Sequence, residues 1–269
     1  MSKTLVQSQF GAHAAGYSPS KVHAKGASLA RLVELVKPEK TWRALDVATG
    51  AGHTAAAFAP HVAHVIASDL TPEMLAEARK LAQSKGFANM ETAIADAESL
   101  PFPDATFDLV TCRIAPHHFP DVAMFLAESF RVLKPGGIFA LVDNVSPDPE
   151  TTPGFSKSEL RDAGIAYNAF EKIRDPSHGR ALATAEWLEL IAETGFTLKH
   201  HEHAPKSMDF ANWVKTMQVP AETVPRLQAM LDDASPALKA FLKPGPYEAN
   251  GGKLGFTLDE LIAVAAKPA

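Results

Sequence analysis

Short apolar runs alternate with segments of helical periodicity through the first half of the chain, and this alternation restricts the fold more than any other feature. The runs WRALDVAT, HVIASDL, METAIADA, FDLVTCRI and IFALVDN predict five strands. Helical patterns lie between them. They include residues 52–61, a helix that Thr71 is predicted to cap, with Pro72 as its first residue and Gly86 at its end, and residues 122–133. Strands that alternate with helices are typical of a parallel sheet with right-handed crossovers, so we expect an α/β fold.

The alternation stops after Asn144. The run SPDPETTPG is polar and rich in proline, which is typical of a linker, and helical segments follow it. Residues 184–193 predict a returning helix, and FTLKHHEH predicts a sixth strand. Residues 207–243 read as helical with proline breaks, and LGFTLDELIAVAAK supplies a last strand. Seven strands in total are therefore expected, in a mostly parallel sheet with helices on both faces and a helical cap inserted in the C-terminal half.

Composition excludes several classes of protein. Of the 269 residues, 46% are hydrophobic and 21% are charged, which is ordinary for a globular protein. The net charge of -5 argues against a nucleic-acid or anionic-membrane surface. Cys112 is the single cysteine, which excludes an internal disulfide framework and fits a reducing compartment. We expect a cytoplasmic protein with no membrane span, because no apolar run approaches about 18 residues and MSKTLVQSQFGAHAAGYS lacks a secretory apolar region.

The stretch LDVATGAGHT, residues 45–54, reads as a strand that breaks into a glycine turn. Gly50 and Gly52 would let the backbone approach a ligand with no Cβ in the way. The turn matches the Gly/Ala form of the dinucleotide fingerprint, with Ala55 at the third glycine position. No Lys follows Gly52, as a triphosphate-binding loop would require. The turn alone leaves open a dinucleotide pyrophosphate and a nucleoside without phosphate.

Carboxylates stand at the ends of three successive predicted strands, at Asp46, Asp69 and Asp96. In open α/β sheets ligands bind beyond the carboxyl ends of the strands, so these side chains are expected near the glycine turn. Three acidic groups would repel a pyrophosphate but would suit a nucleoside that carries an amine and a positive centre, such as S-adenosylmethionine. The alternative is that these residues act only as helix caps or turn residues.

Four motifs carry a family resemblance. In order and spacing, LDVATGAG, ASDLTPEML, ADAESLPFPDATFDLV and FRVLKPGG resemble class I S-adenosylmethionine-dependent methyltransferases, over about residues 40–145. The likeness is to the small-molecule branch typified by the ubiquinone/menaquinone-biosynthesis C-methyltransferases, which carry a type 11 methyltransferase domain. It implies a Rossmann-like fold, S-adenosyl-L-methionine as cofactor, and methyl transfer to a small organic acceptor. The family's loop is usually D-x-G-x-G-x-G, and Ala48 replaces its first glycine here.

The resemblance also assigns roles to residues. The turn with Ala48, Gly50 and Gly52, together with Asp46, would lie under the methionine part and ribose of the cofactor. Asp69 would bind the ribose hydroxyls. The adenine would meet Leu70, Met74, Asp96 and Ala97, and Arg113 would lie where the pocket and the methyl-transfer mouth meet. Met74 also lies on a helical stripe, which leaves a core role open.

The acceptor site is predicted from position. His117 and His118, in RIAPHHF after the fourth strand, are the candidate catalytic bases or acceptor-orienting groups, with one of the pair expected to face the pocket. Ordinary loop roles remain the alternative. Tyr17 is the candidate lid residue of the segment before the first helix, with His13 and His23 weaker. His178 and Arg180, in DPSHGR, are candidate substrate residues. No metal site is expected, since His201 and His203 share a strand face that His200 does not.

The domain prediction follows. Residues 1–145 form a cofactor-binding Rossmann-like core with an N-terminal lid segment, 146–250 form a helical cap around a returning helix and strand at 184–204, and 251–269 supply a final core strand. The function expected is methyl transfer to a small-molecule acceptor whose target atom, O, C, N or S, stays open, as does a homodimer. Two alternatives remain at this stage: a protein that binds the cofactor without catalysis, and a nicotinamide-dependent oxidoreductase on a similar sheet.

Overall fold

A computed structural model describes residues 3–17, 26–247 and 251–269, and within the first range only the side chains of residues 3–11. The predictions for the side chains of His13 and Tyr17, and for His23, lie outside the described residues. Helices are α1 Lys3–Tyr17, α2 Ala27–Val36, α3 His53–Phe58, α4 Pro72–Lys85, α5 Val122–Val132, α6 Lys157–Arg174, α7 Thr184–Glu193, α8 Phe210–Thr216, α9 Val224–Asp232 and α10 Pro236–Leu242. Strands are β1 Arg43–Val47, β2 His64–Asp69, β3 Met90–Ile94, β4 Phe107–Arg113, β5 Leu133–Asn144, β6 Thr197–Asp209, β7 Gly245–Tyr247 and β8 Lys253–Ala266.

The described strands form one mostly parallel sheet, as the sequence predicts. Seven strands follow the order β3-β2-β1-β4-β5-β8-β6. The pairs β1–β2, β1–β4, β2–β3 and β4–β5 are parallel. An eighth strand, β7, was not predicted; it is three residues long and pairs antiparallel with β8. Gly251 and Gly252 both adopt positive φ just before β8, which is the backbone conformation that a tight turn requires.

Strand and helix ends follow local chemistry, with two differences from the predictions. Gly86 ends α4 in the left-handed conformation, and its N–H bonds to the carbonyls of Ala82 and Gln83. Thr71 precedes Pro72 as predicted, but its side chain makes no capping hydrogen bond. The third strand ends at Ile94, before the predicted end at Ala97. Asp96 therefore lies in the loop, where it pairs with Ser99 in an isolated bridge.

The chain forms two compact units. The first comprises Met1–Asp143, Leu188–Glu202 and Ile262–Ala269, and the second comprises Asn144–Trp187 and His203–Leu261. The first unit contains the parallel strands β1–β5, of which β1 is almost wholly buried. The two units divide β8, because Lys253–Leu261 belong to the second unit and the residues from Ile262 onward belong to the first.

The second unit has its own apolar core, made of side chains from α6, α8, α9, α10 and β8. Trp213 stacks on Phe170 with the ring centroids 4.7 Å apart, and the edge of Phe256 contacts Trp213. Tyr167, which is fully buried, packs edge-on against Phe241. In the described part of the chain, no helix combines the length and the apolar character needed to cross a membrane.

Candidate active site

Asp46 stabilises the glycine turn through hydrogen bonds from its buried carboxylate. It is almost completely buried, and one carboxylate oxygen accepts from the Ala55 N–H at 3.1 Å and from the Thr49 hydroxyl at 2.5 Å. The other oxygen accepts from the Thr111 hydroxyl at 2.7 Å. Burial raises the pKa of Asp46 to about 6, although these hydrogen bonds and nearby Arg113 act against the rise. Asp46 thus ties the turn to α3 and β4, and it does not line the pocket that the sequence analysis expected it to face.

The two glycines of the turn have different surroundings. Gly50 lines the pocket with φ of 55°, and a Cβ there would meet nothing within 4 Å. Gly52 has φ of 86°, and a Cβ there would stand 2.9 Å from both the Ala78 Cβ and the Met90 Cε. Gly52 therefore lets the turn pack on α4 and does not line the pocket, contrary to the expectation. Ala48 lines the pocket and adopts left-handed backbone, with φ of 52°.

Asp69 joins the end of β2 to the turn. Its carboxylate accepts from the Gly50 N–H at 2.9 Å and from the Thr71 N–H at 2.8 Å. Burial raises the pKa of Asp69, against the lowering effect of these two backbone donors. Because the residue also lines the pocket, its carboxylate is placed to accept hydrogen bonds from a ligand.

The pocket itself lies within the first unit and holds about 1030 Å³ of space, including the part open to solvent. Eight of the ten predicted cofactor-binding residues line it: Ala48, Gly50, Asp69, Leu70, Met74, Asp96, Ala97 and Arg113. His118 lines it as well. The lining thus combines apolar side chains with carboxylates, which suits a ligand that has a flat apolar ring and polar hydrogen-bond donors.

The N-terminal helix contributes an unforeseen cation. The Lys3 ammonium lies 2.5 Å from an Asp96 carboxylate oxygen and 2.7 Å from one of Glu98. The other Asp96 oxygen accepts from the Glu98 N–H at 3.0 Å. Gln7, also on α1, donates to the Leu70 carbonyl at 2.9 Å. All three of Lys3, Asp96 and Glu98 line the pocket, so α1 contacts the part of it that was predicted to read the adenine.

The two histidines separate into two environments. His118 lines the pocket, and the edge of its ring meets the Phe10 ring with centroids 4.9 Å apart. His117 lies behind it, with its ring Nδ1 2.6 Å from one Asp143 oxygen and its backbone N–H donating to the other at 2.9 Å. The expectation that one member of the pair faces the pocket therefore points to His118. Arg113, just before this turn, donates to the Thr54 hydroxyl at 3.1 Å.

The candidates from the second half of the chain do not line this pocket. His178 is buried in the second unit, with its ring Nε2 2.8 Å from the Asn168 side-chain oxygen. Arg180 pairs with Glu186 at 2.7 Å. His200 lies 2.8 Å from a Glu202 oxygen. Among the described residues, no three His, Cys, Asp or Glu side chains are arranged to hold a metal ion.

Sequence reasoning missed Lys3, Phe10 and Asp143. Lys3 and Phe10 lie on a helix of weak amphipathic pattern and carried no motif. Asp143 stands near the carboxyl end of β5, where the rule that picked out the carboxylates of the first three strands also applies. That signal was present in IFALVDN.

Comparison with known proteins gives consistent matches. Residues 45–141 match the model of the methyltransferase domain family. The uncharacterized methyltransferase YcgJ of Bacillus subtilis (strain 168) is 34% identical over 229 residues, which cover 85% of this chain and 86% of that protein. The ubiquinone/menaquinone biosynthesis C-methyltransferase UbiE of Brucella anthropi is 39% identical over 196 residues, covering 71% and 67% respectively. A candidate methyltransferase structure from Bacillus halodurans C-125 superposes with a TM-score of 0.81 at 36% identity, covering 91% of this chain and all of that one.

Proposed function

We propose that the pocket of the first unit binds S-adenosylmethionine and that a small organic acceptor meets this cofactor beside His118. The premise is that this chain belongs to the methyltransferase domain family and is an S-adenosylmethionine-dependent methyltransferase. The observation that carries the proposal is that Gly50 and Asp69 line the pocket side by side, with open space where a Cβ of residue 50 would lie. When bound, S-adenosylmethionine supplies an electrophilic methyl group on a sulfonium.

The residues present fit this cofactor. Asp69 lines the pocket at the end of β2, where its carboxylate can accept from ribose hydroxyls. Leu70 and Met74 supply an apolar wall for the adenine, and Asp96 supplies an acceptor for its amine. Three carboxylates, Asp69, Asp96 and Glu98, line the pocket against the two cations Lys3 and Arg113, so the net charge of these groups does not favour a pyrophosphate such as that of a nicotinamide dinucleotide.

His118 and Arg113 act on the acceptor side of the proposal. An acceptor hydroxyl or thiol loses its proton before or during attack, whereas a neutral amine or an enol loses it afterwards, and the imidazole of His118 is placed to take the proton in either case. Arg113 supplies positive charge for an acceptor oxygen that becomes anionic. Phe10 and Phe119 bring apolar surface to the same wall, which excludes water from the reacting atoms.

Cofactor binding is tested by titration calorimetry with S-adenosylmethionine, S-adenosylhomocysteine and NAD. We expect both sulfur nucleosides to bind and NAD not to bind. Asp69→Ala is expected to weaken S-adenosylhomocysteine binding by on the order of 1–3 kcal/mol, because the ribose donors lose a charged acceptor. Asp162→Ala, which removes a carboxylate with 69% side-chain exposure, is the control and should bind normally. Equal affinity for wild type and the Asp69 variant would place the ribose elsewhere.

Transfer is tested with methyl-labelled S-adenosylmethionine and a panel that covers the four target atoms. The panel contains catechol, reduced menadione, histamine and thiophenol. Reduced menadione is included because UbiE of Brucella anthropi is named for quinone biosynthesis. We expect label in one class of product, with an equal amount of S-adenosylhomocysteine formed. His118→Ala should lower that turnover and leave S-adenosylhomocysteine affinity close to wild type, and full turnover in this variant would contradict the placement of the acceptor.

A further inference from the structure

The turn that carries the two histidines is held by one buried carboxylate. Asp143 is fully buried, and its two oxygens contact the same residue, His117. One oxygen lies 2.6 Å from the ring Nδ1, and the other accepts the backbone N–H at 2.9 Å. With the carboxylate ionised, it can only accept, so the ring proton lies on Nδ1. A carboxylate bound in this way fixes both the ring orientation and the path of the chain.

The chain enters this turn through a strained backbone. Ile114 has φ of 54°, in the left-handed region, where a β-branched residue is rarely found. Its N–H donates to the Val142 carbonyl at 2.7 Å, one residue before Asp143 on the same strand. Strained conformations of this kind persist only where the surrounding structure holds them, and they concentrate at functional sites. The end of β5 thus holds the turn at two successive residues.

His118 depends on this arrangement for its position. The rings of His117 and His118 lie with centroids 4.2 Å apart and planes tilted by 45°. On its other side His118 meets the Phe10 ring nearly at a right angle, at 4.9 Å. The imidazole therefore lies between His117, whose backbone and side chain Asp143 anchors, and the Phe10 ring of α1, with only 6% of the residue exposed at the pocket.

We infer that Asp143 and His117 are positioning residues, which hold the His118 imidazole against the pocket where the acceptor is bound. The pair is called here the Asp143–His117 clasp. The inference rests on the proposed function for the nature of the molecule that His118 meets. The geometry of the clasp is a property of the chain itself, so the two can be tested separately.

The test uses the conservative replacement of His117. Asn at this position keeps an N–H close to the place of Nδ1 and so preserves the donor to Asp143, whereas Ala removes it. The variants are His117→Asn, His117→Ala and Asp143→Ala. Leu141→Ala is the matched control, since this fully buried residue lies on the same strand outside the clasp. The readout is imidazole ¹⁵N NMR of the full-length protein, free and with S-adenosylhomocysteine; His118→Gln identifies the His118 signal among the 11 histidines.

We expect His117→Asn and Leu141→Ala to keep the wild-type His118 signal. His117→Ala and Asp143→Ala should move it toward the signal of a freely rotating imidazole. Turnover on whichever panel acceptor the wild type methylates should follow the same order, with a loss of roughly 10- to 100-fold where the clasp is broken. The affinity for S-adenosylhomocysteine should change little throughout.

Two results would overturn the inference. The first is an unchanged His118 signal in Asp143→Ala, which would mean that the carboxylate does not position the ring. The second is an equal displacement in His117→Asn and His117→Ala, which would assign the effect to the lost ring contact instead of the clasp. Failure of the proposed function looks different: the wild type would bind neither sulfur nucleoside in calorimetry, while the NMR comparison would still give its own answer.

Discussion

Asp46 shows how a single buried charge can serve a site without touching the ligand. Its carboxylate joins β1 to the turn, to α3 and to β4 through Thr49, Ala55 and Thr111. Burial disfavours the charged carboxylate, and it raises the pKa of Asp46 from 3.8 to about 6. A folded chain that holds this proton to higher pH than the unfolded chain loses stability as the pH rises through about 6.

The expected pH effect is therefore specific in sign. Asp46→Asn is neutral at every pH, so the stability of wild type relative to this variant should fall between pH 5 and pH 7.5. With a folded pKa of about 6, the fall is on the order of 1 kcal/mol. Urea denaturation of both proteins at the two pH values measures it, with Asp162→Asn as an exposed-carboxylate control. A difference that does not vary with pH would mean that Asp46 titrates in its usual range.

Ala48 carries a second local cost. Its φ of 52° lies in the left-handed region, where a Cβ is unfavourable by roughly 1–2 kcal/mol. Glycine would remove that strain, although it also gains freedom in the unfolded chain. We expect Ala48→Gly to raise the free energy of unfolding by up to about 1 kcal/mol.

The matched control for this change lies in the same turn. Ala51 is buried and does not have positive φ, so Ala51→Gly should lower stability by about 0.5–1 kcal/mol. Thermal melts of the two single variants give the comparison. If both substitutions destabilise by the same amount, strain at Ala48 is absent from the folded protein in solution.

At the scale of elements, side chains of α5 bind the backbone of the loop that joins β3 to β4. Arg131 donates to the carbonyls of Leu100 and Phe102, at 2.9 and 2.8 Å, through its two terminal nitrogens. Glu128, one turn earlier on α5, pairs with Arg131 and accepts the Leu100 N–H at 2.7 Å. The planar guanidinium group reaches both carbonyls at once through its two terminal nitrogens, and the single ammonium nitrogen of a lysine cannot replace it.

Arg131→Lys is therefore expected to lower the free energy of unfolding by about 1–2 kcal/mol, since charge-assisted hydrogen bonds are lost. Hydrogen exchange should rise across residues 99–106. Arg79→Lys is the control, because Arg79 makes one exposed hydrogen bond to Thr92 at 2.8 Å. Equal effects of the two substitutions on the free energy of unfolding would show that the Arg131 guanidinium group contributes nothing beyond its charge.

Elements with strong local signals were predicted well from the sequence. The five parallel strands and the glycine end of α4 follow from apolar runs and turn residues that act within a few positions. The roles of Asp46 and Lys3 could not be predicted in this way. Asp46 bonds to Thr111, 65 positions away, and Lys3 to Asp96, 93 positions away. Such partners are set by tertiary packing, so position at a strand end could not tell a ligand-facing carboxylate from one that supports the turn.

The same limit applies to His178 and Arg180. Their motif DPSHGR was interpreted as part of the substrate site. In the structure His178 is buried beside Asn168 of α6, and Arg180 is exposed and pairs with Glu186 of α7, all within the second unit. His117 and His118 are adjacent and chemically identical, and only the folded positions of Asp143 and Phe10 distinguish them. Asp143, in contrast, could have been found from its place near the end of β5.

At the scale of the whole molecule, the two units should respond differently to the cofactor. Every residue that lines the pocket belongs to the first unit. A ligand that binds only the folded state stabilises it by about 2.7 kcal/mol at a concentration 100 times its Kd. That stabilisation slows the local openings that release the ligand, and it does not slow openings confined to other parts of the chain.

We therefore expect S-adenosylhomocysteine to slow hydrogen exchange in peptides that cover residues 48–54, 69–74, 95–98 and 113–120. Peptides from α6, α9 and α10 should exchange at unchanged rates, because their core is made of second-unit side chains. Mass spectrometry of the full-length protein with and without ligand measures both sets, and NAD at equal concentration is the control. Equal protection of both sets would mean that the units open together. Protection confined to the second unit would place the cofactor outside the proposed pocket.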